Sequence, residues 1–404
     1  MIKLNVWLTL EAGRTVLCGE MVCSDPAASG RIDGAFRYFR DYLADPEAFA
    51  LDPVHLPLQE RVFLADRPGG IHSVFEDSLP DSWGRRLLIR KAGLPGSRQR
   101  PPDLLHTLAG NGLGALSYHE GGYRPADTVI PSTIALADLV EMALRVEAGE
   151  WIDDIDISPL LTAGSSPGGA RPKALVHTED DLQWIAKFPS RRDNLPIVRI
   201  EAGTMTMAAA ASIGVPETRL VDLGPEAVLM VRRFDLSEPG GRFHMISMQT
   251  LLGVADEYYV LGYRDMFDVV KKISCQPEID VPALYRQMVF NMLVGNTDDH
   301  LKNFTMLHGE RGFFLSPVYD LLPDTENRRE HVLHINYGFL FPGIEALVKM
   351  GRDLGVSNPG RVVEQVREVV SGYRRFYTEA GVSQKDLETL SFQIERNLKV
   401  CTTT

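Results

Sequence analysis

The spacing of the apolar residues changes along the chain, from a period of two near the start to mostly helical spacing beyond residue 245. IKLNVWLTL and RTVLCGEMVC, which begin at residues 2 and 14, alternate as paired strands do. KALVHT, LQWIAKFP, TRLVDL and AVLMVRRFDL predict further strands. We therefore expect a chain with a mixed, β-rich first half and an α-rich second half.

Three helices in the first 215 residues are predicted from periodicity and from residues that start or stop helices. DSLPDSWGRRLLIRKAGL can begin at Asp81 or Ser82 and end at Gly93. IALADLVEMALRVEAG has helical spacing. PIVRIEAGTMTMAAAASIGV begins with Pro196 and ends at Gly214.

The composition excludes several classes of protein. The 404 residues carry a formal net charge of −12, which opposes an extended surface for nucleic-acid phosphates, and the basic run at 85–100 is interpreted as a solvated helix face. The four cysteines form no CxxC pair, as is usual in a reducing compartment. No apolar run approaches the ~18 residues of a membrane span, and the first residues do not resemble a signal peptide. We expect a soluble, cytoplasmic protein that does not bind a membrane.

The polar stretch NTDDHLKN, residues 296–303, contains candidate catalytic residues. Asp298 and Asn303 have the D-x-x-x-x-N spacing of a protein-kinase catalytic loop, in which a carboxylate accepts the hydroxyl proton and an oxygen ligand binds Mg²⁺. His300 and Lys302 lie between them, where a cation could steady the transferring phosphoryl group. Asp299 does not fit the spacing, so we expect it to be dispensable. Taken alone, the stretch also fits a capped polar loop.

A second candidate metal ligand, Asp320, ends an apolar, strand-like run in FFLSPVYDLLP, 22 residues beyond Asp298. A kinase places its other metal-binding Asp at such a position, although here Asp-Leu-Leu replaces the usual Asp-Phe-Gly. The alternative interpretation is an Asp that caps the following turn.

The Gly-rich segment GSSPGGARPKALV could bring backbone N–H groups close to a phosphate, although it matches neither common phosphate-loop motif and also fits an ordinary turn. Lys173 and Lys187 are the nearest cations. Lys187 lies on an apolar strand, where an ammonium group needs a partner, and Glu201 on the next helix is the candidate. Alternatively, Lys187 extends to water from an edge strand.

The order of these parts is that of a bilobal kinase: a Gly-rich turn, a strand Lys, a helix Glu, a catalytic loop and an Asp after an apolar run. The chain resembles the HipA family of bacterial toxin serine/threonine kinases over nearly its full length. The resemblance rests on seven blocks in the family's order: DSLPDSWGRRLL, GALSY, GSSPGGARPKAL, IAKFP, RRFD, GNTDDHLKNF and SPVYDLLP.

This resemblance implies an α+β, bilobal, protein-kinase-like fold, with a β-rich N-terminal lobe, an extra N-terminal subdomain and an all-α C-terminal lobe. The implied domains are a HipA-type subdomain at 1–125, the core of the N-terminal lobe with the Gly-rich loop at 126–240, and the helical lobe with the catalytic loop at 241–404.

The resemblance also implies the roles of individual residues. Asp298 would be the catalytic base, with His300 and Lys302 beside it, and Asn303 and Asp320 would hold Mg²⁺. ATP would be bound by a larger set of residues: Ser166, Gly168, Gly169, Ala170, Lys173, Lys187, Glu201, Arg233 and Phe234. Of these, Arg233 and Phe234 would form the hinge that contacts the adenine.

Regulation and partners are implied in the same way. Family members phosphorylate a serine of their own Gly-rich loop, which silences the kinase, and the matching residue is Ser166, although Ser165 precedes it and Pro167 follows. The implied partners are a protein substrate, for example an aminoacyl-tRNA synthetase whose phosphorylation stops translation, and a HipB-like antitoxin that contacts DNA on behalf of the complex.

The alternatives to a protein-kinase toxin are a kinase for small molecules or lipids, a silent corepressor and a metal-dependent hydrolase.

Overall fold

The structure is a computed structural model of the 404-residue chain. It describes every residue except 122–135, 150–159, 161–170, 179–181, 239, 255–259, 327, 329, 336–337, 339 and 401–404.

The chain begins with a five-stranded antiparallel sheet in the order β4-β3-β2-β1-β5. Its strands are β1 Ile2–Thr9, β2 Thr15–Cys23, β3 Gly34–Tyr38, β4 Val62–Leu64 and β5 Leu116–His119. The predicted alternation along β1 is confirmed, because Leu4, Val6 and Leu8 are buried.

The helices before residue 173 in the described part of the chain are α1 Arg40–Leu43, α2 Ser73–Glu76, α3 Ser82–Lys91, α4 Pro101–Leu108 and α5 Leu136–Glu147. The start of α3 agrees with the sequence prediction, since the Asp81 carboxylate accepts the Gly84 N–H at 2.9 Å as an N-cap. Gly93, two residues beyond the helix, has a φ of +57°, a conformation that glycine adopts without strain.

The remaining strands of the described ranges form three smaller sheets. A four-stranded sheet has the order β6-β7-β9-β8, a three-stranded sheet the order β12-β13-β14, and β10 pairs with β11. Their bounds are β6 Lys173–His177, β7 Gln183–Lys187, β8 Thr218–Leu223, β9 Glu226–Arg232, β10 Leu236–Ser237, β11 Gly241–Arg242, β12 His244–Ser247, β13 Thr305–Gly309 and β14 Gly312–Leu315.

Among the residues that the structure describes, eight more helices follow β7: α6 Ile197–Ala210, α7 Met248–Leu251, α8 Tyr263–Ile273, α9 Pro277–Val294, α10 Ile344–Asp353, α11 Pro359–Ser371, α12 Tyr373–Glu379 and α13 Gln384–Val400. The region after residue 245 is mostly helical, as predicted. The structure adds β12 and β13 to it, and β14 lies at the start of the strand-like run FFLSPVYDLLP. The expectation of an all-α lobe at 241–404 is therefore wrong, because these strands lie within that range.

The backbone divides into two compact units, each assembled from three separate stretches of chain. The first unit contains Met1–Ile185, Arg233–Glu257 and Thr305–Phe313, and the second contains Ala186–Arg232, Tyr258–Phe304 and Phe314–Thr404. In the second unit, α9 is buried along most of its length and packs against α8, α11 and α13. None of the helices in the described part of the chain has the length and hydropathy required to cross a bilayer.

Candidate functional site

The polar loop 296–303, the catalytic loop of the sequence prediction, follows directly on α9 in the second unit. Helix α9 ends at Gly295, whose φ of +78° turns the chain out of the helix. Side chains along the loop alternate between interior and surface. Asp298 and Lys302 are exposed and His300 is half-buried, whereas the buried positions are Asn296, Thr297, Asp299, Leu301 and Asn303.

Asn303 holds the backbone of Asp298 in place. Its Nδ2 donates to the Asp298 carbonyl oxygen at 3.0 Å, and its backbone N–H donates to the His300 carbonyl at 2.9 Å. The Asn303 Oδ1 atom is buried and accepts no hydrogen bond from any described residue. The loop therefore presents the Asp298 carboxylate outward and keeps one amide oxygen in need of a partner.

Lys187, at the end of β7, lies between two carboxylates of the second unit. Its Nζ donates to Glu201 Oε1 on α6 at 2.5 Å and also to Asp320 Oδ1. Burial lowers the pKa of Lys187, but the charges of Asp320 and Glu201 outweigh this effect and hold the pKa above its ordinary value. The predicted pair of Lys187 and Glu201 is confirmed, and the alternative of a lysine that reaches water is wrong because the side chain is only 13% exposed.

Asp320 has an unusual backbone conformation next to the polar loop 296–303. Its φ is +51°, in the left-handed region that residues other than glycine seldom occupy and that recurs at functional sites. The neighbouring Tyr319 donates its hydroxyl to the Lys302 carbonyl at 2.7 Å, and the Val318 N–H donates to the Gly214 carbonyl at 2.9 Å. The first bond holds the segment that contains Asp320 against the loop that contains Asn303, and the second holds it to the chain that follows α6.

The predicted strand through this segment stops earlier than the apolar run suggests. Strand β14 ends at Leu315, and residues 316–324 form neither helix nor strand. Pro317 explains the difference, since proline has no N–H to donate to a strand ladder.

The predicted magnesium ligands fit a hard cation. Mg²⁺ prefers oxygen ligands and keeps several waters, so it is often bound through one or two protein oxygens together with substrate phosphates. The Asp320 carboxylate and the unbonded Asn303 Oδ1 supply such oxygens. Among the described residues there is no group of three or more His, Cys, Asp or Glu side chains suited to a metal ion, which excludes a zinc-type cluster from that part of the chain.

Asp299 is the largest departure from the sequence prediction. It is fully buried, and its carboxylate accepts four hydrogen bonds, from Tyr263 Oη at 2.8 Å, His331 Nδ1 at 3.1 Å and the backbone N–H groups of Val332 at 3.0 Å and Leu333 at 3.2 Å. The structure argues against the expectation that Asp299 is dispensable, because these four donors would lose their acceptor in the protein interior. The alternation of positions along the loop could have indicated the burial of Asp299, because Asp299 lies two residues before the apolar Leu301, which is also buried.

A cation near the polar loop 296–303, Arg328, was not predicted from the sequence. Arg328 forms an ion pair with Glu326 at 2.7 Å. That hydrogen bond raises the pKa of Arg328, and the charges of Asp298 and Asp324 add to the increase. Nothing in the spacing of NTDDHLKN points to a residue 30 positions beyond Asp298.

Three predicted nucleotide-binding residues belong to the first unit. Lys173 is buried, and its ammonium group pairs with the carboxylate of Asp81, the N-cap of α3. The Arg233 guanidinium is 5% exposed and donates to both carboxylate oxygens of Asp235, at 3.0 and 2.6 Å, and to Gln183 Oε1 at 2.9 Å. Phe234 is half-buried beside it. The Gly-rich loop residues Ser166, Gly168, Gly169 and Ala170 lie outside the described residues, as does Ser165.

Two family models match the chain. The model described as HipA-like C-terminal domain matches residues 165–373, just over half of the chain, and the model described as HipA N-terminal domain matches residues 26–119. The chain belongs to the HipA family. The predicted family is thereby confirmed, and the described site residues of the second unit lie within the first of these matches.

Curated relatives of this HipA-family chain share part of its sequence. "Putative kinase Y4dM" of Sinorhizobium fredii is 30% identical over 268 residues, which cover 61% of each chain. "Toxin YjjJ" of Escherichia coli is 23% identical over 266 residues, which cover 60% of this chain and 56% of the relative. The match thus spans about three fifths of the length of these two relatives.

A solved structure shows the same fold. It is described as a complex of the Shewanella oneidensis toxin–antitoxin proteins HipA and HipB with their operator DNA, and it superimposes with a TM-score of 0.71. The superposition covers 98% of this chain and 96% of that one, at 19% sequence identity. The predicted kinase-like α+β fold is confirmed.

Proposed function

We propose that this HipA-family chain is a serine/threonine-protein kinase that transfers the γ-phosphate of Mg·ATP to a hydroxyl group of a protein. The observation that carries the proposal is the Lys187 ammonium, which bonds to both Glu201 and Asp320 in the unit that also contains the loop of Asp298 and Asn303. A strand lysine paired with a helix glutamate, together with a metal-binding Asp and a D-x4-N loop, is the set of parts that phosphoryl transfer requires.

Each of these residues has a definite part in the proposed reaction. The exposed Asp298 carboxylate accepts the proton of the acceptor hydroxyl while that oxygen bonds to the γ-phosphorus and the bond to the ADP oxygen breaks. Lys187 would orient the phosphates, and Asn303 and Asp320 would supply oxygens to the metal. Bound Mg²⁺ would neutralise the negative charge on the β- and γ-phosphate oxygens. His300 and Lys302 lie next to Asp298 on the loop, where a cation favours the transferring group.

The proposal extends to regulation and partners. Ser166, or Ser165 before it, would be the site of autophosphorylation, and its phosphate of about −1.5 to −2 charges would oppose the phosphates of ATP at the Gly-rich loop. The remaining nucleotide-binding residues would be Gly168, Gly169, Ala170 and Lys173, with Arg233 and Phe234 at the hinge. The chain would act as the toxin of a pair with a HipB-like antitoxin. Its net charge of −12 agrees with leaving DNA contact to that partner.

The direct test is to incubate the purified chain with Mg·ATP, alone and with a cell lysate, and to map phosphate by mass spectrometry. Asp298→Asn removes the proposed base and keeps the size of the side chain. Asp268→Asn is the matched control, because Asp268 is an exposed carboxylate on α8 of the same unit. We expect phosphate on Ser166 or Ser165 and on a protein of the lysate for the wild type and Asp268→Asn, and none for Asp298→Asn.

Other outcomes identify the alternatives. Phosphate on small molecules or lipids alone would make the chain a kinase of a different substrate class. No transfer to any acceptor would overturn the kinase proposal and leave the corepressor. The protein substrate is named by the lysate protein that carries the phosphate, an aminoacyl-tRNA synthetase being the class that we propose.

A further inference from the structure

The two carboxylate oxygens of Asp299 have separate partners. Oδ1 accepts the backbone N–H groups of Val332 and Leu333, whereas Oδ2 accepts the Tyr263 hydroxyl and His331 Nδ1. One oxygen thus holds a stretch of backbone, and the other holds two side chains that come from different parts of the second unit.

The partners of Oδ2 belong to a longer buried network. Asn291 Nδ2 on α9 donates to the Tyr263 hydroxyl oxygen at 3.1 Å, and Asn296 Nδ2 donates to Asn291 Oδ1 at 3.2 Å. Asn291 and Asn296 are 1% and 2% exposed, and Tyr263 is fully buried. Because Asn296 begins the catalytic loop, the network leaves the loop at Asn296, passes through α9 and α8, and returns to the loop at Asp299.

Backbone contacts reinforce the same connection. The Val332 N–H also donates to the Thr297 carbonyl at 3.2 Å, and the Asp324 N–H donates to the Gly295 carbonyl at 2.8 Å. Parts of the chain after Asp320 are therefore bonded directly to Gly295 and Thr297 as well as to the side chain of Asp299. Interior hydrogen bonds of this kind strengthen one another and select a single conformation.

These bonds restrain Asp298, whose own side chain is exposed and does not hold the residue in place. Its carbonyl oxygen is held by Asn303 Nδ2 at 3.0 Å, and the next residue is fixed by the four bonds to Asp299. The Asp298 carboxylate consequently projects from a backbone that is restrained on both sides. Catalytic groups need such restraint, since a displacement of about 1 Å can cost roughly 100-fold in rate.

We infer that Asp299 is a positioning residue for phosphoryl transfer: its buried carboxylate locks Tyr263 and residues 331–333 onto the catalytic loop and thereby fixes Asp298. The inference rests on the proposed kinase function. It assigns different tasks to two adjacent carboxylates. The exposed carboxylate of Asp298 accepts the proton, and the buried carboxylate of Asp299 fixes the orientation of Asp298.

Two substitutions separate the tasks of the two oxygens. Asp299→Asn leaves an oxygen for the N–H groups of Val332 and Leu333, but turns an NH₂ group toward two donors, Tyr263 and His331. Tyr263→Phe removes one of those donors and leaves the Asp299 carboxylate intact. Asp268→Asn on the surface of α8 serves as the control.

The measurement is the rate of incorporation of labelled γ-phosphate from ATP into protein, as a function of ATP concentration. The labelled samples are the purified chain and a lysate, and each rate is divided by the concentration of nucleotide-binding sites found by titration. We expect kcat to fall roughly 10- to 100-fold in Asp299→Asn and by a smaller factor in Tyr263→Phe, with KM for ATP within about twofold of the wild type.

A merely structural role predicts a different pattern, because loss of folded protein lowers the number of binding sites and leaves the rate per site unchanged. The inference is overturned if both variants keep the wild-type rate per site, or if kcat and nucleotide affinity fall together. If Asp299→Asn does not fold, the rate per site and the nucleotide affinity of Tyr263→Phe decide whether the inference holds. A wild type that transfers no phosphate overturns the proposed function itself, which distinguishes the two failures.

Discussion

At the scale of single residues, the catalytic loop shows what a spacing rule can and cannot predict. The D-x4-N spacing selects Asp298 over its neighbour, and the structure has Asp298 exposed and Asp299 buried. The three residues proposed for catalysis, Asp298, His300 and Lys302, share one phase of the loop, and Asp299 shares the other phase with Leu301. The alternation of exposed and buried positions, considered together with the D-x4-N spacing, would have predicted that the Asp299 side chain lies in the protein interior.

The partners of Asp299 were beyond prediction from the sequence. Tyr263 and His331 lie 36 and 32 positions away along the chain. No local pattern relates residues so far apart, whereas the pair of Lys187 and Glu201, only 14 positions apart, follows from a strand and the next helix.

The charges of Lys187 and of its two partners, Glu201 and Asp320, allow a test of their mutual dependence. Lys187→Met leaves the carboxylates of Glu201 and Asp320 without the cation between them, and we expect a loss of about 3 kcal/mol or more in the free energy of unfolding. Adding Glu201→Gln to Lys187→Met should recover part of this loss, since one of the two like charges is then gone. Urea unfolding of the two single variants and the double variant measures the coupling, and strictly additive losses would contradict it.

At the scale of elements, boundaries set by caps were predictable and boundaries set by distant contacts were not. Helix α3 begins after Asp81, as its sequence indicates. The second function of Asp81, as partner of Lys173, joins residues 92 positions apart. The sequence places Lys173 only near the Gly-rich segment, and the ion pair now fixes the start of β6 to the start of α3.

Asp81 therefore has two separable contributions to stability. Asp81→Asn keeps a side-chain oxygen for the cap but loses the charge that faces Lys173, and Asp81→Ala loses both. We expect Asp81→Ala to unfold with about 1 kcal/mol less free energy than Asp81→Asn, the usual contribution of an N-cap. Urea unfolding of the two variants measures the difference, and equal values would mean that the cap contributes nothing.

At the scale of the whole molecule, the class of fold could be predicted and the division of the chain could not. The change of hydrophobic period indicates strands followed by helices. The two compact units, however, are each built from three stretches, and residues 305–313 belong with the N-terminal part of the chain. Only long-range contacts define such units, and the period of a sequence reports only local structure.

The first unit should also lose stability in acid. Burial lowers the pKa of His72 to about 4, against a smaller opposing effect of Asp66, and lowers the pKa of His244 to about 4. Both values lie below the unfolded value of about 6.5, so the unfolded chain binds more protons. Stability is therefore lost as the pH falls from about 6.5 toward 4, by about 1.4 kcal/mol per pH unit for each histidine.

His72→Phe isolates one of these histidines, because a phenyl ring can keep the edge contacts with Phe36 and Phe75. We expect the variant to gain about 2 kcal/mol relative to the wild type between pH 8 and pH 5 in urea unfolding. A stability difference that is the same at both pH values would contradict the assignment to His72.

The central claim, that Asp298 is the base of a phosphoryl-transfer site, is tested most directly by one rate. We measure single-turnover transfer of labelled γ-phosphate from Mg·ATP to protein by the wild type and by Asp298→Asn, with equal occupancy by nucleotide. A general base contributes about 10²- to 10⁴-fold, so the variant should be slower by at least about 100-fold while it binds ATP as the wild type does. A variant that transfers phosphate within about twofold of the wild-type rate would contradict the claim.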